Sequence, residues 1–287
     1  LLKITGNNVK QLERLLTDYQ HGNKVELLLS MGADANHLDR LAQLLKTTGP
    51  PKALRGVLSD TSIVNLANPK ILNGLEAANA TGVKGLDDWI NYNAPKGLKE
   101  LEDSLFELKQ GERLVGEHPS STVKVGREIH APKRPSGDPM KEVDIVTESK
   151  ATGAIERSVE IKVIKNAVTQ FTDLSSGATH AIEKAAKRIA KGHPIPGNLE
   201  AIAQIELKVG THSVRRGNKL EILANGSATL ITGNGRRIPK EHIFNEFTKQ
   251  LKKIINHTLL SKYTVVNRSG KVLAEYERTG TTWARIK

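Results

Sequence analysis

EVDIV at residues 142–146 and VEIKV at residues 159–163 are the two stretches of sequence that decide the fold. In each stretch apolar residues alternate with charged ones, which is typical of a β-strand because successive side chains point to opposite faces. Glu160 and Lys162 therefore project from one face of their strand. Asp144 projects from the polar face of its own strand.

A turn centred near Thr152 and Gly153 would join the two strands as an antiparallel hairpin. In that register the numbers of facing residues add up to about 304, which puts Asp144 opposite Glu160 with Cβ atoms about 5 Å apart. Two carboxylates at that distance repel each other, and a hard cation such as Mg²⁺ or Mn²⁺ removes the penalty. Lys162, beside the pair, can polarise the attacking water or the scissile phosphate.

A helix predicted over residues 97–117 offers a third carboxylate. On a continuous helix Glu112 interrupts the apolar stripe that faces the sheet, whereas Glu117 lies nearly opposite that stripe. Gly111 could break the helix and void this geometry. Glu112 is therefore the expected helix carboxylate, and Glu117 stays open as the alternative.

The Glu-x-Lys spacing alone is a weak signal, because it occurs four times in the chain. The first two copies, at residues 107–109 and 148–150, are typical of a helix surface and of a turn. The copy at residues 206–208 is also strand-like, but no acidic residue sits in a paired strand just before it. The competing interpretation of Glu160 and Lys162 is an exposed cross-strand salt bridge.

The order of elements predicts an α+β fold. Residues 1–95 form a small all-helical domain, and residues 91–96 form the best linker to a second domain at residues 96–287. After the helix over 97–117, we expect a mixed sheet flanked by helices, then a C-terminal helix and a β-hairpin. The expected elements are strands at 122–129, 141–148, 157–164 and 201–209, a loop rich in Pro and basic residues at 131–139, a helix at 177–191, a helix from Pro239 to about Leu260, and a hairpin turn at 267–270.

Composition limits the chemistry. The chain has no cysteine, so any metal must be held by carboxylate, imidazole or water. Histidines at paired ligand spacing are missing, which disfavours a zinc nuclease. No apolar run of about 18 residues predicts a membrane span. The net charge is +12, and residues 236–287 carry 12 Lys/Arg against 4 Asp/Glu, which suits nucleic acid or a solvated surface.

Three smaller features were each open to two interpretations. The basic face of the helix at 177–191 could follow a phosphate backbone or face solvent; its members are Lys184, Lys187, Arg188 and Lys191. Tyr276 and Trp283 could stack on bases, although local packing is the better interpretation. Two arginine pairs, Arg215-Arg216 and Arg236-Arg237, flank probable turns and could likewise contact phosphate or solvent.

With these residues in place, the chain resembles the PD-(D/E)XK nucleases, which have the restriction-endonuclease-like fold. The resemblance covers about residues 97–209 and lies in the order of elements and site residues. It implies that Glu112 (or Glu117), Asp144, Glu160 and Lys162 form the catalytic site, and that Asp144, Glu160 and Glu112 hold Mg²⁺ or Mn²⁺. Val143 stands where the family name has proline, a residue that the superfamily often lacks.

The layout also resembles the C-terminal region of a bacterial polymorphic toxin, such as a contact-dependent growth-inhibition effector. That resemblance implies a nuclease toxin that the producer cell secretes or displays as part of a larger protein and that acts in the cytoplasm of a target bacterium. It also implies a cognate immunity protein. DNA is slightly favoured over tRNA as substrate. The alternatives are a non-enzymatic nucleic-acid-binding protein and a helical protein-interaction scaffold.

Overall fold

Short helices form the N-terminal part of the chain, as the sequence predicts. The computed structural model describes residues 9–19, 22–48, 58–126, 143–164, 171–190, 192, 195–213, 217–223, 227–240 and 243–287. The helices of this part are α1 (Val9–Asp18), α2 (Gly22–Ser30), α3 (Ala35–Thr48), α4 (Asp60–Leu66), α5 (Pro69–Thr81), α6 (Leu86–Asn93) and α7 (Leu98–Glu117). Two strands follow, β1 (Ser121–Val125) and β2 (Ile145–Ser149).

Capping residues explain where α5 begins and ends. The side chain of Asn68 accepts a hydrogen bond from the backbone N–H of Lys70, and Pro69 occupies the first turn, where its missing N–H costs nothing. Gly82 ends the helix at φ +90°, a left-handed conformation that glycine adopts without strain. These local signals stop the helix just before Val83 enters the core.

The helix α7 runs unbroken through Gly111 and packs on β1. A Cβ atom at Gly111 would lie 3.2 Å from Val125 Cγ1, so the glycine allows helix and strand to approach closely. β1 and β2 pair in antiparallel fashion with Val125 opposite Ile145. The chain then turns at Lys150 to Gly153, as predicted.

The second part of the chain contains helices α8 (Phe171–Ile189) and α9 (Ile243–Leu251) and further strands. The strands are β3 (Ile155–Val163), β4 (Asn198–Gln204), β5 (Gly210–Ser213), β6 (Lys219–Ile222), β7 (Ala228–Ile231), β8 (Arg237–Lys240), β9 (Leu260–Val266), β10 (Val272–Thr279) and β11 (Thr282–Arg285). A short 3₁₀ helix at His257–Leu259 leads into β9.

Two sheets are built from these strands. In one, β3, β4, β9, β10 and β11 lie side by side in that order; β3, β4 and β9 are parallel, and β9, β10 and β11 are antiparallel. The other sheet is antiparallel with the order β5-β6-β7-β8. Because β3, β4 and β9 are parallel, their carboxyl ends meet at one edge of the first sheet.

Helices α8 and α9 cover one face of the first sheet. Leu174, Ala178, Ile182 and Ala185 of α8 share a core with Phe247 and other residues of α9 and the strands. The contact is closest at Gly177, where a Cβ atom would lie 2.8 Å from Tyr263 Oη and 2.9 Å from Ala203 Cβ. Glycine at this position therefore lets α8 rest directly on β4 and β9.

The four-stranded sheet has one apolar and one polar face. Ile222 and Ala228 are opposite each other in the register and are buried, and Leu220 packs against the core of α8 and α9. The alternate residues are polar and mostly exposed, among them Thr211, Ser213, Lys219 and Arg237. The sheet is thus held to the body by its inner face.

The mixed α+β class, the helix over 97–117 and the C-terminal hairpin are confirmed, and three boundaries change. The helix predicted at 177–191 begins earlier, at Phe171. The predicted helix from Pro239 to Leu260 is wrong in length, because Pro239 lies in β8 and the helix is α9 alone. The strand predicted at 201–209 ends at Gln204. Parts of the predicted strands at 122–129 and 141–148 and the whole loop at 131–139 lie outside the described residues.

The chain divides into two compact units, Leu1–Ala154 and Ile155–Lys287. The predicted domain boundary at 95/96 falls within the first unit, between α6 and α7, and stays a prediction. In the part of the chain that the structure describes, no helix combines the length and the apolar composition that a membrane span requires.

Candidate active site

Glu160 is a buried acid in the middle of β3. Its register partner on β4 is Ala201, and residues registered across a parallel pair share a face of the sheet. Ala201 belongs to the core beneath α8 and α9, so Glu160 projects toward the helices. The residue is 1 % exposed. An acid in that position needs a compensating charge, because burial of a lone carboxylate costs several kcal/mol.

Lys184 supplies that charge from α8. Its Nζ donates to Glu160 Oε2 at 2.5 Å, and the lysine side chain itself is only 19 % exposed. An opposite charge at this distance favours the ionised carboxylate. The pair therefore keeps an anion inside the second unit, at a point where helix and sheet meet.

Lys162 lies two residues beyond Glu160 and is exposed. Its register partner is Ala203, so Lys162 emerges from the same face of β3 as Glu160. It lies one residue before the carboxyl end of the strand. The predicted common face of Glu160 and Lys162 agrees with this register, and the competing interpretation of Glu160 as an exposed surface acid does not fit its burial.

The basic face of α8 is not uniformly solvated. Lys187 is exposed, but Lys184 is turned toward Glu160 and Arg188 is buried. Neither of the two interpretations offered for this face describes those two residues. Lys191 lies outside the described residues. The lysine that pairs with Glu160 was named in the sequence as a member of this face but not as a site residue.

Asp144 lies in the first unit, immediately before β2. It is 8 % exposed, next to the point where Ile145 pairs with Val125. Both predicted strand acids are thus mainly buried. The predicted pairing of Asp144 with Glu160 joins residues of different units and stays a prediction.

The two helix acids differ in their surroundings. Glu117 is exposed, and Arg113 Nη1 donates to its carboxylate at 2.8 Å, one helical turn away. Glu112 is half-buried, and burial raises the pKa of its carboxyl, an effect that Lys109 partly offsets. The helix α7 is continuous through Gly111, so the glycine does not break it, but the buried residues at this end of α7 are Gln110, Gly111 and Leu114. The choice of Glu112 over Glu117 stays a prediction.

The second strand-like Glu-x-Lys copy lies at the surface. Glu206 and Lys208 come after β4 has ended, and the Glu206 side chain is 50 % exposed. Arg268 Nη2 contacts Glu206 Oε2 at 2.8 Å, and the Arg268 side chain is still more exposed. Burial therefore distinguishes the Glu-x-Lys copy at Glu160 from the copy at Glu206, although the two have the same spacing.

Tyr276 and Trp283 pack inside the second unit, as the better of the two interpretations predicted. Tyr276 is fully buried, and its Oη donates to the carbonyl oxygen of Phe244 at 2.7 Å. Trp283 is nearly buried and contacts His257 through Nε1. Neither ring is available to stack on a base.

Carboxylate oxygens are the donors that Mg²⁺ and Mn²⁺ prefer, so Asp144, Glu160 and Glu112 fit such an ion in donor chemistry. Within the described residues, no three His, Asp or Glu side chains gather closely enough to hold a metal. Protein Mg²⁺ sites commonly use one or two carboxylates, with water and phosphate completing the shell.

The net positive charge of the protein lies in one of the two units. Residues 155–287 contain 23 Lys/Arg against 11 Asp/Glu, a net charge of +12. Residues 1–154 contain 20 of each, a net charge of zero. The unit that holds Glu160, Lys162 and Lys184 is therefore the unit that attracts a polyanion.

The chain matches no protein-family model, no curated protein and no solved structure. The likeness to PD-(D/E)XK nucleases rests on residue types, their order and the elements that carry them.

Proposed function

We propose that this chain is a metal-dependent nuclease of the PD-(D/E)XK class that hydrolyses phosphodiester bonds. The observation that carries the proposal is Glu160, a buried carboxylate that shares a face of β3 with Lys162 and lies within the basic unit. A buried ion pair is weak evidence for stability, and buried charges close to a sheet edge are candidates for function.

Each residue of the proposed site has a role. Asp144 and Glu160 are the carboxylates that would hold Mg²⁺ or Mn²⁺, with water and phosphate completing the shell. Glu112 is not proposed as a third ligand, because no three such side chains gather within the described residues. The bound ion would supply a Lewis acid for the phosphodiester group. Lys162, exposed near the end of β3, orients the attacking water or neutralises charge on the phosphate. Lys184 compensates the charge of the buried Glu160 carboxylate and holds it in position.

The biological setting extends the same proposal. The chain would be the toxic C-terminal part of a larger protein that a producer bacterium secretes or displays. It would act in the cytoplasm of a target bacterium, and a cognate immunity protein would protect the producer. DNA is the first substrate to test, and tRNA is the second.

The test is cleavage of plasmid DNA and of total tRNA by the purified chain, with Mg²⁺ or with EDTA. We expect cleavage only with Mg²⁺, and a loss of roughly 100-fold or more in Asp144→Ala, Glu160→Gln and Lys162→Ala. The double variant Glu206→Gln/Lys208→Ala changes the same residue types at the exposed copy and should cleave normally.

One result would reject the proposed site, and another would reject the nuclease activity. Cleavage that survives in Glu160→Gln would mean that this carboxylate is not part of the site. Binding of nucleic acid without cleavage of either substrate would identify a non-enzymatic nucleic-acid-binding protein instead.

A further inference from the structure

The four-stranded sheet carries a basic end, which we call the basic tip and define by Lys219, Arg236 and Arg237. The register places Lys219 opposite Ile231 and Ile231 opposite Arg237, so these cations lie at the same end of three neighbouring strands. Arg236 lies in the adjoining turn. All three residues are exposed.

The basic tip is preformed. Asn218 Oδ1 accepts a hydrogen bond from the backbone N–H of Gly233 at 3.0 Å, which ties the start of β6 to the turn between β7 and β8. Within that turn the N–H of Thr232 donates to the carbonyl of Arg236 at 2.9 Å, and Gly235 adopts φ +83°. These bonds hold the cations in place before a partner binds, which reduces the ordering cost of association.

The four-stranded sheet is joined to the edge of the proposed site at its Gly210 end, and the basic tip lies three residues further along the strands, at the other end. β5 follows β4 after only five residues, and β4 ends at the same edge as β3 because the two strands are parallel. Lys162 is exposed near that edge. Ile222 and Ala228 on the inner face of the four-stranded sheet are buried, so the basic tip belongs to a packed element.

We propose that the basic tip binds the phosphate backbone of the nucleic acid on which this protein acts, a step that rests on the proposed nuclease function. Arginine side chains suit phosphate because the guanidinium can donate two parallel hydrogen bonds. Arg237 also contacts Glu221 of β6, two strands away, so its side chain extends across the outer face of the sheet.

The chemistry of the turn favours nucleic acid over other polyanionic partners. Residues 232–237 have the sequence TGNGRR, with no apolar side chain to enter a membrane and no aromatic ring to stack on a base. Phosphate contacts alone carry no sequence information. Binding through the basic tip should therefore depend strongly on salt and only weakly on sequence.

The test measures binding in EDTA, where the proposed nuclease does not cleave. The full chain is titrated into a fluorescent DNA duplex and, separately, into labelled tRNA at several salt concentrations, and anisotropy gives Kd. In the triple variant Lys219→Gln/Arg236→Gln/Arg237→Gln we expect Kd to rise about tenfold or more and the salt slope to fall by roughly 2–3.

A matched variant separates a local site from net charge. Lys252→Gln/Lys253→Gln/Lys271→Gln removes three exposed lysines from the same unit, so both variants have the same net charge. We expect the matched variant to keep most of the affinity, and Arg236→Lys/Arg237→Lys to keep more than the glutamine variant. Equal losses in the two triple variants, or no loss at the basic tip, would overturn the proposal.

Failure of the proposed interface can be distinguished from failure of the proposed nuclease, because binding is measured in EDTA and cleavage with Mg²⁺. If the matched lysine variant binds as tightly as the unchanged protein and the basic-tip variant does not, the interface stands whether or not cleavage is found. If neither DNA nor tRNA binds in EDTA, the interface is rejected.

Discussion

Lys184 Nζ lies 2.5 Å from Glu160 Oε2, so a helix and a strand of the second unit are joined by an ion pair whose acid is 1 % exposed. Removing one partner of such a pair leaves the other as an uncompensated buried charge. We expect Lys184→Met to reduce the free energy of unfolding by about 3–5 kcal/mol. Replacing both residues, in Glu160→Met/Lys184→Met, should recover much of that loss.

The exposed Lys187 on the same helix is the matched control for this cycle. Lys187→Met should change the free energy of unfolding by no more than about 0.5 kcal/mol. Urea denaturation measures all four proteins. If Lys184→Met costs no more than Lys187→Met, the ion pair does not form in solution.

Glu112 should make stability depend on pH in an unusual direction for an acid. Burial raises the pKa of its carboxyl above the ordinary 4.5, so folding favours the protonated form. Its contribution is therefore fully present below the unfolded pKa and is lost as pH rises through the folded pKa. We expect Glu112→Gln to remove this loss, raising Tm relative to the unchanged protein at about pH 7 but not at about pH 4.

Glu117→Gln provides the comparison, because that acid is exposed and paired with Arg113. Its Tm difference from the unchanged protein should not rise with pH. A Glu112→Gln curve parallel to that of the unchanged protein would show that the carboxyl is not destabilised by burial.

Two glycines in helices should respond to alanine with opposite signs. At Gly177 a Cβ atom would meet Tyr263 Oη and Ala203 Cβ at under 3 Å, so Gly177→Ala should cost about 1–3 kcal/mol despite the better helix propensity of alanine. A Cβ atom at Gly116 would have no heavy atom within 4 Å, so Gly116→Ala should raise the free energy of unfolding by roughly 0.4–1 kcal/mol. Urea titration compares them, and stabilisation by both changes would contradict the close contact.

Tyr276→Phe should weaken the fold without affecting nucleic-acid binding. The change removes the hydrogen bond from Tyr276 Oη to the Phe244 carbonyl, and a hydrogen bond of this kind contributes about 0.5–1.5 kcal/mol. Thermal unfolding measures the loss, and anisotropy measures the affinity. A large change in Kd in a variant that remains folded would instead indicate a role in binding.

Strong local periodicity made some elements predictable. The apolar spacing of α7 and the turn residues at 267–270 sufficed for the helix and the hairpin, and alternation in VEIKV gave the common face of Glu160 and Lys162. The partner of Glu160 was harder. Arg188 of the predicted basic face is buried, whereas the adjacent Ile189 is exposed, the reverse of what their side chains alone would favour. Which polar residues of a helix turn inward depends on the charges opposite them.

The four-stranded sheet could not be predicted because its strands are only four residues long and carry few large apolar side chains. Pro239 was interpreted as the first residue of a helix, a position that proline favours. It lies instead in β8, an edge strand of the sheet, where a missing N–H need not break the ladder. The choice between these positions is made by tertiary packing.

The position of β9 has a consequence for synthesis of the protein. This strand lies between β4 and β10, yet it is made of residues 260–266, more than 50 residues after β4 ends. While this segment is still inside the ribosome, β4 lacks its neighbouring strand. The side chain of Tyr263 is then also missing from the core beneath α8. The core beneath α8 would thus be complete only after residue 266 has left the ribosome, so that a shorter chain would lack the packed surroundings of Glu160.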